Sequence, residues 1–122
     1  LITKYKIKRR NVVGHSDVAP IRKIDPGEKF PWKELAIKKI GIWHQFKPSF
    51  LKKFRKINIK KKREKIKFIK NLNNIGYCFS ANNKSLFFKI MKAFQRHYRK
   101  ELINGILDKE CSIIARNLLK NL

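Results

Sequence analysis

Val12-Val13-Gly14-His15-Ser16-Asp17-Val18-Ala19-Pro20-Ile21-Arg22-Lys23-Ile24-Asp25-Pro26-Gly27 is the stretch on which the reading of this chain turns. It sets His15 at the end of a short apolar run. Asp25 follows ten residues later, held in a turn by Pro26-Gly27, with Lys23 two positions before it. A neutral imidazole and a carboxylate are ligand types that a catalytic zinc takes. A lysine beside them is suited to hold negative charge developing on a carbonyl oxygen. In extended backbone, residues i and i+2 point the same way, so Lys23 and Asp25 can face one cleft. Plainer readings stand next to these: a structural histidine, an ordinary Asp-Pro-Gly turn and a surface lysine. Ser16 and Asp17 are read as shaping the loop through local hydrogen bonds.

Outward from that stretch, residues 1 to 8 read as the end of an amphipathic helix. The β-branched pair Val12-Val13 suggests a buried strand, and 16 to 30 a loop punctuated by Pro20 and Pro26-Gly27. Pro31 suits the first turn of a helix running from Trp32 to Lys39, with Gly41 as its stop. From Lys47 to Lys67 there are 11 basic residues and one acidic residue, with Phe50, Phe54, Ile57 and Ile59 interleaved. That segment is the candidate linker, with a short helix at 49–56. A helix over 62–74 ends at Gly76. Asn83 is placed to cap a helix through Tyr98 whose stripe is Phe87, Ile90, Met91, Phe94 and Tyr98. After a turn at Asn104-Gly105, Asp108 is placed to cap a last helix with stripe Cys111, Ile114, Ala115, Leu118 and Leu122. Three such helices can share one small core. Trp32 and Trp43 are read as core residues.

The chain has 122 residues, enough for one ordinary domain or two very small ones. Lys and Arg number 32 against 8 Asp and Glu, a formal net charge of +24. Such a field attracts any polyanion, although an excess of Lys, Ile, Asn and Phe also reads as compositional drift on solvated faces. No apolar run has the length of a membrane span. Cys78 and Cys111 have neither zinc-ribbon nor CxxC spacing and are read as unpaired thiols. The first residue is Leu1, with no leader pattern behind it, so the sequence reads as a piece whose true N-terminus lies upstream.

Positions 12 to 32, ending Phe30-Pro31-Trp32, resemble the zinc-dependent N-acetylmuramoyl-L-alanine amidases, in which the pattern reads roughly GHSDIAPGRKxDPGxxFPW. Leu35-Ala36-Ile37-Lys38-Lys39-Ile40-Gly41-Ile42-Trp43 is similar to the continuation in the family branch that carries a C-terminal helical domain. Ile90 to Arg99 resembles the peptidoglycan-binding helical module of that branch. The resemblance implies an α/β fragment, the C-terminal part of the amidase fold, followed by a small all-α three-helix domain. It divides the chain into 1–46 (amidase part), 47–61 (basic linker) and 62–122 (peptidoglycan-binding-like domain). It implies Zn2+ as cofactor, His15 and Asp25 as metal ligands, and Lys23 as the catalytic lysine that steadies the oxyanion. The substrate implied is peptidoglycan or its muropeptides, cut at the amide between N-acetylmuramic acid and L-alanine. His44 and His97 match no ligand of the family and are read as surface or interface residues.

In the family the first His ligand and an acidic residue acting on the water come from the N-terminal half of the amidase domain. That half is therefore an expected partner, and the chain alone is expected to be inactive. Ile21 also departs from the small or polar residue often found there. The alternative is a non-catalytic remnant that binds cell wall or another polyanion; nucleic acid is the disfavoured partner.

Overall fold

Three stretches carry an apolar stripe at helical spacing, and each can leave water only by packing against the others. The computed structural model describes residues 7–20, 23–24, 26–77 and 84–122, His15 through its backbone alone. Among these lie α1 (His15–Val18), α2 (Trp32–Ile37), α3 (Pro48–Lys52), α4 (Lys62–Ile75), α5 (Lys84–Tyr98) and α6 (Lys109–Lys120). A 3-10 turn at Arg9–Asn11 precedes them.

The α/β expectation fails. No strand occurs among the described residues, whose one isolated β-bridge joins Asn58 to Asp108. Val12 has extended backbone, but Val13 is 43% exposed and neither pairs with a strand. A strand exists only with a neighbour to satisfy its N–H and C=O groups, and here the backbone turns at Gly14 into α1. The stretch from Ser16 is accordingly not all loop: the amides of Asp17 and Val18 donate to the Gly14 carbonyl at 3.1 and 3.4 Å. The helical end proposed for residues 1 to 8 lies outside the described residues up to position 6; Ile7 is exposed.

Helix α4 buries Phe68, Ile69, Leu72 and Ile75, the i, i+1, i+4, i+7 face of one helix, while Ile66 stays exposed. It ends at Gly76, whose φ of 136° is open to glycine and costly for other residues. The Gly76 and Tyr77 amides both donate to the Leu72 carbonyl, closing the last turn. In α6, Cys111, Ile114, Ala115 and Leu118 pack inward against α4. Asp108 Oδ1 accepts from the Cys111 amide at 2.9 Å, the expected N-cap. Leu122, expected on the stripe, is 44% exposed because α6 stops at Lys120. The Asn83 cap lies outside the described residues. Each buried Leu, Ile or Phe of this core contributes roughly 1.5–3 kcal/mol.

Helix α5 changes character along its length. Its first turns are amphipathic, but from Ala93 to Tyr98 every residue is buried. Such a helix end is surrounded, by α1 and α2 on one side and by the loop before α6 on the other. Gln95 organises that loop: its Oε1 accepts from the Asn104 and Gly105 amides and its Nε2 donates to the Ile106 carbonyl. Arg99, fully buried, donates through Nη1 to Asp108 and Glu110 at 2.7 Å each. Arg55 closes the network with two bonds to Glu110, at 2.9 and 3.1 Å.

The basic stretch carries α3, whose Leu51 belongs to the same core cluster. Ile42, Trp43, Phe46 and Ile59 pack against that cluster half-buried. The Ile59 amide donates to Leu107 and the Lys109 amide to Ile57, which ties 57–59 to the start of α6. Cys111 is free and buried; burial pushes its thiol far above the usual range, with Arg99 pulling the other way. Cys78 lies outside the described residues.

Candidate functional site

Gly14, the residue before His15, and Asp17, two residues after it, share a carboxylate contact. The Gly14 amide donates to Asp17 Oδ2 at 3.0 Å. An isolated four-residue helix is unstable, since nucleation fixes several dihedrals for a single hydrogen bond. The stability of α1 must come from elsewhere, and two long-range bonds supply it. His97 Nδ1, on α5, lies 2.6 Å from Asp17 Oδ2. The Tyr77 hydroxyl, just past α4, donates to Asp17 Oδ1. Burial, followed by the Asp17 charge, pushes the Tyr77 hydroxyl well above the usual phenol range, so it remains a donor. A carboxylate has no proton to offer, which makes His97 Nδ1 the donor. His97 Nε2 is buried and has no hydrogen-bond partner among the described residues.

The His97 ring is also held by its faces. Trp32 stacks on it at 4.0 Å and 12°, and Tyr98 at 3.9 Å and 17°. Two residues of the motif, Asp17 and Trp32, therefore converge on one histidine of the C-terminal helices. His97 was expected at a surface or interface and is 4% exposed. It stands three residues after Phe94 and seven after Ile90, so the helical period already placed it on the buried stripe. Its partners carried no sequence signal, because Asp17 lies 80 positions away. Trp32, buried, fulfils its core expectation. Asp17 makes the local bond expected of it and also these distant ones. A cavity of about 440 Å³ borders this cluster, but Asp17 brings no free oxygen to it, since both are engaged.

The expected site residues fare differently. His15 opens α1, and its side chain lies outside the description, as does Asp25 altogether. Lys23 is exposed, its amide donating to the Ala19 carbonyl at 2.9 Å. Among the described residues no group of three or more His, Cys, Asp and Glu stands together as a metal site. His44 is half-buried, and its Nδ1 accepts from the Phe46 amide at 3.2 Å, a bond that requires the neutral ring. Burial first, then Lys33, pushes its pKa down to about 4, with Glu110 pulling upward.

In sequence and in three dimensions, the chain is similar to part of the N-acetylmuramoyl-L-alanine amidases. The relative matched in sequence is N-acetylmuramoyl-L-alanine amidase AmiD of Escherichia coli (strain K12), 35% identical over 122 residues, 98% of this chain and 44% of that protein. The structure of E. coli AmiD with the substrate anhydro-N-acetylmuramic acid-L-Ala-D-gamma-Glu-L-Lys superposes with a TM-score of 0.82. It is 34% identical, with 98% of this chain and 47% of that one covered. AmpDH3 from Pseudomonas aeruginosa in complex with anhydromuramic pentapeptide gives 0.81 at 31% identity, covering 98% and 48%. The chain thus spans about half the length of these relatives. No family model matches it.

Proposed function

We propose that this chain is the C-terminal portion of a peptidoglycan amidase that cleaves the amide between N-acetylmuramic acid and L-alanine. The observation that carries this is the match along 98% of the chain to an amidase structure holding an anhydromuramyl peptide. The proposal keeps the division into 1–46, 47–61 and 62–122. The parts pack on one another: Leu51 belongs to the core cluster of the helices, and Ile42, Trp43 and Phe46 pack against it.

His15 and Asp25 are donor types that fit zinc and would hold it. A catalytic zinc takes three protein ligands, so the third, a second His by resemblance, is assigned to the part of the relatives that this chain does not span. Zinc held there would supply polarisation of the scissile carbonyl and activation of water. Lys23, exposed on its loop, is assigned to meet the carbonyl oxygen as it gains charge. Peptidoglycan fragments are the proposed ligand, and no helix among the described residues is long and apolar enough to cross a membrane.

The test uses the polypeptide as naturally expressed, with zinc and an anhydromuramyl tripeptide. Asp25→Ala should lose zinc and turnover together; full turnover in that variant would sink the assignment. Lys23→Ala should retain zinc and lose about 10²–10³ in kcat, the scale of one oxyanion donor. The 122-residue chain assayed alone should show no turnover. Polyanion binding is the second reading, favoured by the exposed run Lys60 to Arg63 with Lys67 and Lys70 along α4. Binding by charge alone would weaken steeply with salt and ignore sugar or base sequence.

A further inference from the structure

We propose that Tyr77 and His97 are positioning residues for the His15 turn, acting through Asp17, so that the C-terminal helices set the geometry of a proposed metal ligand. This rests on the reading of His15 as a ligand. The argument starts from α1 itself, which has four residues and cannot hold its shape alone. Asp17, on this helix, is 7% exposed and bonded through both oxygens. One bond is local, from the Gly14 amide, and fixes the backbone immediately before His15. The other two come from residues 60 and 80 positions away.

A carboxylate held by three donors has a single orientation, and the amide bonded to it inherits that orientation. His97 can act as a fixed donor because Trp32 and Tyr98 cover its two faces and leave its ring one plane. Burial keeps the Tyr77 hydroxyl protonated and able to donate. None of the three side chains needs to touch a metal or substrate for this role. Partners one shell out from a ligand commonly set its orientation, and their loss commonly weakens metal binding about 10–100-fold.

The experiment uses the full chain labelled for NMR, with hydrogen exchange of the Gly14 amide as the direct readout and the Ile114 amide as the core reference. His97→Leu should speed Gly14 exchange well beyond any change at Ile114. His97→Asn, whose amide nitrogen stands near the Nδ1 position, should restore most of the protection. Cys111→Ala, a truncation on the α6 face that packs against α4, should move both amides together. Equal acceleration of Gly14 and Ile114 in His97→Leu, with no rescue by Asn, would overturn the clamp. Should His97→Leu fail to fold, Tyr77→Phe removes one hydroxyl alone and is judged by the same ratio.

Zinc affinity, by chelator competition on the naturally expressed polypeptide, is the second arm. His97→Leu should weaken it about 10–100-fold and Cys111→Ala should leave it unchanged. Loss of affinity of the same size in both variants would reduce His97 to a structural residue. Unchanged affinity in His15→Ala would instead refute the ligand reading. Gly14 exchange would then still decide the clamp by itself.

Discussion

Arg99→Met removes a buried guanidinium and keeps most of its aliphatic volume. The side chains of Arg99, Asp108 and Glu110 are each 1% exposed, so no water is at hand to replace the lost bonds. Removing one partner of a buried ion pair typically costs about 3–5 kcal/mol, because the remaining charge is stranded. Two features pull the value toward the low end of that range. Asp108 still accepts from the Cys111 amide, and Glu110 keeps both bonds to Arg55. We expect a loss of about 3 kcal/mol, a fall of roughly 1–3 M in the urea midpoint for a slope of about 1–3 kcal/mol/M. Adding Asp108→Asn retains a capping side chain and removes one stranded charge, so the double variant should recover part of the loss. Arg55→Met should cost less, and in a salt-dependent way, because its side chain is 20% exposed. A loss below about 1 kcal/mol in Arg99→Met, the net worth of an ordinary hydrogen bond, would refute the reasoning. It would mean that the carboxylates are reached by water or already neutral.

Other consequences follow from single residues. His44, pushed down to about 4 in the folded chain from an ordinary 6.5, binds its proton more weakly folded than unfolded. Stability should therefore fall as pH drops from about 6.5 toward 4. Discounted for solvent screening at a half-exposed ring, the loss is about 1–2 kcal/mol. Urea midpoints at the two ends of that range should show it, and His44→Gln should flatten it; an equal slope in the variant would assign the effect elsewhere. At Gly105, with φ 71°, an added Cβ would sit 2.3 Å from a Phe88 ring carbon. Phe88 is half-exposed and can swing outward, so Gly105→Ala should cost about 1–2 kcal/mol, mainly from the left-handed backbone. Thermal melts should show Phe88→Ala relieving only a small part of that cost; full relief would mean that contact, not φ, dominates.

The helices legible in advance were the three with an internal period, the one that follows Pro31 and the short one near 49–56. The stripes over 62–75, 84–98 and 109–120, the Asp108 cap and the glycine stop at 76 all express contacts within one or two turns. The Val12-Val13 strand was misread because two β-branched residues state a preference, whereas a strand needs a pairing partner that local sequence cannot name. The burial of His97 was available from its spacing to Ile90 and Phe94; its surroundings were not.

What the sequence determined by itself is the chemistry on offer: the His15, Lys23 and Asp25 spacing, the helical periods, and a charge of +24. The resemblance carried by residues 12 to 32 belongs with these, since a motif is a fact of residue order. Tertiary structure alone decided that Asp17 and Trp32 meet on His97, that Tyr77 closes the same carboxylate, and that Arg99 and Arg55 share Glu110. Those partners are separated by up to 80 positions. Periodicity reports which face of an element leaves water, but not which other face it meets. That choice is made by packing and by the requirement that every buried charge find a partner.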